Sequence, residues 1–239
     1  MKLTLTFVLL IAFCSFSVAQ EYAIGIKGGL NYYNIGDLNS RGGSIQAGKA
    51  DETFTPNNEI GTQLGIFFNV AFEKLFIRTE INSVSNKNNY DFPIKTSQWR
   101  ASKIDVPILV GYKVFDQISI YAGLSFSFFS QMTIEGANNT AGPSTIDFSK
   151  NTTSINFGIL LGFKRYEIDL RYEYGLKETD GEFGNNYQDF HNSAFGTNIT
   201  DIWSYRPTQI SLSLNIFLFK TNGFKIGNIF KNKDCNCLR

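Results

Sequence analysis

Residues 155–174, INFGILLGFKRYEIDLRYEY, decide the fold. Ile155, Phe157, Ile159, Leu161 and Phe163 alternate with Asn156, Gly158, Leu160, Gly162 and Lys164, a period of two that belongs to a strand whose faces meet unlike surroundings. Lys164 and Arg165 turn the chain. On the return, Tyr166, Ile168, Leu170, Tyr172 and Tyr174 are apolar or aromatic, and Glu167, Asp169, Arg171 and Glu173 are all charged. One face of this hairpin suits hydrocarbon. The other carries both signs of charge.

The same alternation recurs on either side. Strands are predicted at residues 22–32, 60–72, 75–82, 103–114 and 118–128, then the two of the hairpin, then 209–218. In the first, Tyr22, Ile24, Ile26, Leu30 and Tyr32 oppose Ala23, Gly25, Lys27, Gly29 and Asn31; in the last, Ile210, Leu212, Leu214, Ile216 and Leu218 oppose Gln209, Ser211, Ser213, Asn215 and Phe217. Glu73-Lys74, Phe115-Asp116-Gln117 and Lys164-Arg165 are short turns. Residues 33–58, 85–101, 131–152 and 175–206 are polar, lack sustained periodicity and read as long loops. Pro107 has no N–H to donate, so a ladder defect is expected within the 103–114 strand.

Eight strands of about 9–11 residues match a tilted span of the hydrocarbon core. Every backbone group there must be paired, so such strands have to close on themselves. Short turns alternate strictly with long polar loops, the pattern of outer-membrane barrels. Tyr22, Phe72, Tyr112 and Tyr166 lie near the turns and Tyr32 and Tyr174 near the loops, where interfacial aromatics belong. The expected fold is an all-β, eight-stranded, antiparallel up-and-down transmembrane barrel with both termini in the periplasm. A secreted lipocalin-like barrel also has eight strands but turns its apolar face inward; the loop asymmetry and the small polar residues of the opposite face favour the membrane.

The ends agree with export. Residues 1–19 read as a signal peptide: Lys2, an apolar run, then Ser17-Val18-Ala19 as the cleavage pattern. The barrel is expected over residues 20–219 and a periplasmic tail over 220–239. Removing Lys2 from 22 basic residues leaves 21 against 21 acidic, and a formally neutral chain gives no field for nucleic acid. Beyond Cys14, only Cys235 and Cys237 remain, which excludes a disulfide framework. The tail's Lys220, Lys225, Lys231, Lys233 and Arg239 face a single acid, Asp234, leaving open an association with anionic lipid or a free extension.

Four segments carry a family resemblance: 25–31 (GIKGGLN), 103–113 (KIDVPILVGYK), 121–125 (YAGLS) and 171–176 (RYEYGL). They resemble the PorT-like outer-membrane β-barrel family of Bacteroidetes-type bacteria, and the resemblance covers the whole mature barrel. It implies residence in outer-membrane lipid and, for one member type, a link to a secretion system.

The polar faces collect Lys27, Arg78, Glu80, Lys103, Asp105, Lys113, Lys164, Glu167, Asp169, Arg171 and Glu173. Eight strands enclose only enough room for side chains, so mixed charges there read as a paired structural network rather than an active site. Phe76, Leu109, Tyr121, Leu160 and Phe217 add bulk to the same interior. The single histidine, His191, sits in the fourth loop near Asp189, Asn192 and Ser193, without the fixed geometry a catalytic triad needs. No catalytic, cofactor-binding or metal-ligating residues are assigned. The expectation is a non-enzymatic outer-membrane protein acting as a structural or interaction element through its extracellular loops or tail, with a protein partner in the envelope or secretion machinery. The alternative is a narrow transport pore.

Overall fold

The computed structural model describes residues 20–40, 52–136, 143–145, 150–178, 190–192, 195–202 and 205–221. Residues 1–19, expected to be a signal peptide, with Cys14 among them, and residues 222–239, with Cys235 and Cys237, lie outside them. The chain forms β1 (Gln20–Asn34), β2 (Leu38–Ser40), β3 (Glu52–Phe54), β4 (Asn57–Asn58), β5 (Ile60–Phe72), β6 (Leu75–Asp91) and β7 (Thr96–Lys113). It continues with β8 (Ile118–Glu135), β9 (Pro143–Thr145), β10 (Asn151–Gly162), β11 (Tyr166–Gly175), β12 (Phe190–Asn192), β13 (Thr197–Ile202) and β14 (Thr208–Lys220).

Eight of these close a ring in the order β1-β5-β6-β7-β8-β10-β11-β14, every neighbour antiparallel and β14 returning to β1. This is the predicted barrel. The β1–β14 seam is finished beside the turns by Thr221, whose N–H donates to the Tyr22 carbonyl at 2.8 Å while its hydroxyl accepts from the Tyr22 N–H at 2.8 Å. The ladder between β6 and β7 runs in one register but skips Glu80 and Ile81 opposite Pro107 and Val106, which is the defect expected from Pro107.

The outward residues are apolar and exposed: Ile24, Ile26 and Leu30 on β1, Ile66 and Phe68 on β5, Leu124, Phe126 and Phe128 on β8, Leu212 and Leu214 on β14. A soluble protein does not leave so continuous an apolar surface in water. From Tyr22 to Tyr32, both outward on β1, ten residues at about 3.4 Å each, tilted by about 40°, rise roughly 26 Å. The apolar band of outer-membrane barrels is about 25 Å tall.

Beyond that band the strands continue but exchange faces. On β6, Leu75, Ile77, Thr79 and Ile81 point out against Phe76, Arg78, Glu80 and Asn82; then Ser83, Ser85, Lys87 and Asn89 take the outer face and Val84, Asn86, Asn88 and Tyr90 the inner one. On β8, outward Leu124, Phe126 and Phe128 give way to Ser130, Gln131 and Thr133, while Phe129, Met132 and Ile134 turn inward. The outer solvent has changed from lipid to water, so the same alternation serves the opposite polarity. The shift in β7–β8 register at Ser102/Lys103 falls at this boundary, one strand carrying an extra residue there.

The second predicted loop is therefore corrected: residues 85–101 belong almost wholly to β6 and β7, and only residues 92–95 connect them. The first and fourth loops also contain structure. β12, β13, β2 and β3 form a separate four-stranded sheet at the loop end, joining loops that leave the neighbouring strands β1 and β14.

Candidate functional site

The lumen is filled in layers. In the middle layer Lys27 donates to Glu80 at 3.2 Å and to Asp169 at 2.6 Å, and Arg171 Nη2 donates to the same two carboxylates at 2.8 Å and 3.0 Å. The Tyr121 hydroxyl donates to Asp169 at 2.5 Å and accepts from Arg171 Nε at 2.8 Å, and Asn82 donates to Glu80 at 2.9 Å. These residues stand on β1, β6, β8 and β11, alternate strands of the ring, because inward positions on adjacent strands are offset in height by the stagger of a closed sheet. β6 and β11 are diametrically opposed, so the Arg171–Glu80 pair crosses the bore. Lys27, Glu80 and Asp169 have no exposed side-chain surface.

The layer toward the loops is held by Lys103, 3.0 Å from Asp105 and 3.1 Å from Glu173, the latter also accepting from Ser154 at 2.9 Å. The Lys103 ammonium lies 5.6 Å from the Tyr33 ring centroid and 5.8 Å from that of Phe129, so it joins the ionic interior to an aromatic core above. Toward the turns, Arg78 donates to Glu167 at 2.5 Å with its guanidinium 4.7 Å from the Phe67 centroid. Around it Phe76, Leu109, Tyr121 and Leu160 form an apolar plug, and Phe217 packs edge-on against Phe67.

Nine of the eleven predicted interior charges are thus where the alternation put them. Lys113 and Lys164 are corrected: Lys164 is exposed, and Lys113 is half-exposed and 3.8 Å from Asp116, both at the turn rim where a strand end lets a long side chain reach water. His191 lies on β12, its register partner being Asn198; Asp189 and Ser193 fall outside the described residues. Among the described residues no group of three or more His, Cys, Asp or Glu is arranged to hold a metal ion.

Sequence reasoning missed the cap. Tyr33, Ile35, Leu38, Tyr90, Phe92, Trp99, Met132, Ile134, Phe195 and Tyr205 are buried together above the lipid band, with Trp99 stacked on Tyr33 at 5.9 Å. Hydrogen bonds fasten the first and fourth loops onto the β6–β7 hairpin: Tyr90 donates to the Gly36 carbonyl at 2.7 Å, Asn88 to the Tyr33 carbonyl at 3.2 Å, and the Ile94 N–H to the Phe195 carbonyl at 3.3 Å. The available signal was the phase-inverted alternation of Trp99 and Ala101 with Gln98 and Arg100. Chemically the described residues form a barrel braced by ion pairs across its middle, with an apolar cap at the loop end.

Among solved structures, the chain is similar to Neisserial surface protein A, at 11% identity, covering 81% of this chain and 96% of that one with a TM-score of 0.43. It is also similar to OprG of Pseudomonas aeruginosa, at 14% identity, 83% and 96% coverage and a TM-score of 0.42. For Ail of Yersinia pestis, in complex with the heparin analogue sucrose octasulfate, the values are 10% identity, 85% and 100% coverage and a TM-score of 0.43. No curated protein matches the chain. Residues 18–181 match the outer membrane protein beta-barrel domain, more than half the chain, and the protein belongs to that family.

Proposed function

We propose that this outer-membrane barrel is a non-enzymatic, non-conducting interaction protein of the PorT-like kind, accessory to secretion or envelope assembly. Its loop end faces the exterior, its turn end and both termini face the periplasm, and it engages a protein partner through the loop-end cap or the tail. The observation that carries the reading is the Arg171–Glu80 brace across the full bore at 2.8 Å. Lys27 and Asp169 lie beside it and the aromatic cap above, and a buried pair so connected opens only at a cost of several kcal/mol, which supports a closed bore. What remains for function is surface, and about half of the β6–β7 hairpin, residues 83–102, stands clear of the lipid band.

Two measurements test this. In planar bilayers the purified protein gives no steady solute-sized openings; reproducible openings that change when Arg78 and Glu80 are replaced by alanine would substitute the narrow-pore reading. For orientation, residues Ala47 and Asn186 lie outside the described residues, so the label is placed at Ile94, exposed at the β6–β7 tip. With Cys235 and Cys237 replaced by serine, a cysteine at Ile94 reacts with an impermeant thiol reagent on whole cells and one at Gln117 does not; the reverse pattern inverts the topology. Crosslinking from Ile94 then retrieves the partner.

A further inference from the structure

The lumen widens at its turn end. A cavity of about 350 Å³ lies between the turns and the Arg78–Glu167 pair, with Phe76, Leu160 and Phe217 as apolar walls. Its charged lining is Arg78, Lys74, Lys113, Lys164 and Lys220 against Glu21, Glu73, Asp116 and Glu167, five to four, a net of one positive charge. Arg78 is offset by Glu167 at 2.5 Å, Lys113 by Asp116 at 3.8 Å and Lys220 by Glu21 at 3.9 Å. Lys74 and Lys164 remain against Glu73, so the vestibule suits a monoanion.

Just behind its inner wall lies unused hydrogen-bonding capacity of two kinds. Arg78 is 1% exposed, and while its Nη2 engages Glu167, its Nε and Nη1 meet no acceptor and are covered, the guanidinium lying over the Phe67 and Phe76 rings, so a ligand takes them once the side chain swings toward the cavity. Asn69 is its cross-strand neighbour on β5, lines the same cavity, and has a buried Oδ1 that meets no donor. Leaving such groups unpaired is costly, more so for a permanent cation. Donors on a guanidinium beside one amide oxygen, next to apolar walls, are complementary to one chemical unit: a carboxylate with an N–H on the adjacent carbon and an apolar side chain.

We propose that the vestibule binds an N-acylated apolar α-amino acid, with Arg78 taking the carboxylate, Asn69 accepting from the amide N–H, and Phe76, Leu160 and Phe217 enclosing the side chain. Both a free N-acylamino acid and the carboxyl-terminal residue of a polypeptide present this unit. Entry is from the turn end, which the orientation above places in the periplasm; binding to the purified barrel is independent of that orientation and of any partner at the loops.

The test is calorimetric titration of the full chain in detergent with N-acetyl-phenylalanine and with N-acetyl-phenylalanine amide. One acid binds per barrel and the amide binds at least tenfold more weakly. Arg78→Met with Glu167→Gln, which removes the pair without leaving a buried charge, lowers affinity at least tenfold while the folded barrel keeps its heat-modifiable electrophoretic shift; Asn69→Ala lowers it severalfold. A tetrapeptide ending in phenylalanine that binds as tightly as the acid assigns the site to polypeptide ends, and one that binds tenfold more weakly assigns it to free acids. Equal affinities for acid and amide, an unchanged affinity in the double variant, or no heat from either ligand overturns the proposal and leaves the vestibule to water.

Discussion

Glu80 and Asp169, on opposed walls of the barrel, are held by the same two cations: Lys27 at 3.2 Å and 2.6 Å, and Arg171 at 2.8 Å and 3.0 Å. Two positive and two negative charges alternate around a closed circuit, with Tyr121 bridging Arg171 and Asp169. Each ion has lost nearly all its water, and the partner charges, with the hydrogen bonds of Tyr121 and Asn82, offset that loss.

Breaking the circuit at one point should therefore cost more than removing a neutral pair. Arg171→Met alone is expected to destabilise the barrel by about 3–5 kcal/mol, because Glu80 is left buried beside Asp169 with one cation between them. Lys27→Met with Glu80→Gln removes one charge of each sign and should cost less than the sum of the single changes. Urea unfolding in lipid vesicles measures both. A double variant as unstable as the sum would mean the four charges act independently.

Depth decides the outward positions. Leu212 faces lipid near mid-height, opposite Leu30 on β1 and Leu170 on β11. Leu212→Arg should cost about 2–4 kcal/mol, and Ile60→Arg, next to Tyr32 at the loop-side boundary, about 0–1. Equal costs in the same unfolding assay would contradict the placement of the lipid band.

The lipid-spanning half of the fold was legible because hydrocarbon imposes a one-sided demand on every strand. Ile155 to Phe163 and Tyr166 to Tyr174 could be read with no knowledge of their neighbours. Above the band that demand reverses, and a search for apolar-out alternation goes silent: Asn86, Asn88, Tyr90 and Trp99 look like a polar loop broken by aromatics, although all four are inward residues of long strands. Which interior charges would meet was also unreadable. Arg171 pairs with Glu80, 91 residues earlier in the chain, because ring closure places β6 opposite β11, and that follows from strand count and stagger rather than from local sequence. Lys113 and Lys164 were misplaced for a related reason: alternation assigns a face but not the height at which a rim side chain escapes to water.

The cap should be separable from the barrel. Trp99 is fully buried and stacked on Tyr33, so Trp99→Ala is expected to cost about 3–5 kcal/mol. The loss falls on contacts with the first and fourth loops, where Tyr33, Phe195 and Tyr205 share the core. Protease added to intact cells should then cut the loop end faster, while the protected barrel fragment keeps its heat-modifiable mobility. Loss of the folded barrel instead would show that the cap is needed for the transmembrane strands to assemble.

Glycine on the interior wall sets the position of Tyr121. A side chain at Gly158, the residue paired with Tyr121 across β8 and β10, would begin with a Cβ overlapping the Tyr121 hydroxyl and ring. Gly158→Ala should displace that hydroxyl from Asp169 and Arg171, adding lost hydrogen bonds to an overpacking cost of about 1–3 kcal/mol. Gly28 provides the control, since a Cβ there meets only Leu64 Cδ2 at an ordinary 3.5 Å, and Gly28→Ala should be close to neutral. Tyr121→Leu gives up the hydroxyl and much of the ring, so in combination with it Gly158→Ala should cost clearly less than it does alone. Unfolding free energies for the two single variants and the double complete the cycle. A Gly158→Ala penalty undiminished by Tyr121→Leu would mean that the glycine is needed for the backbone and not for the aromatic ring beside it.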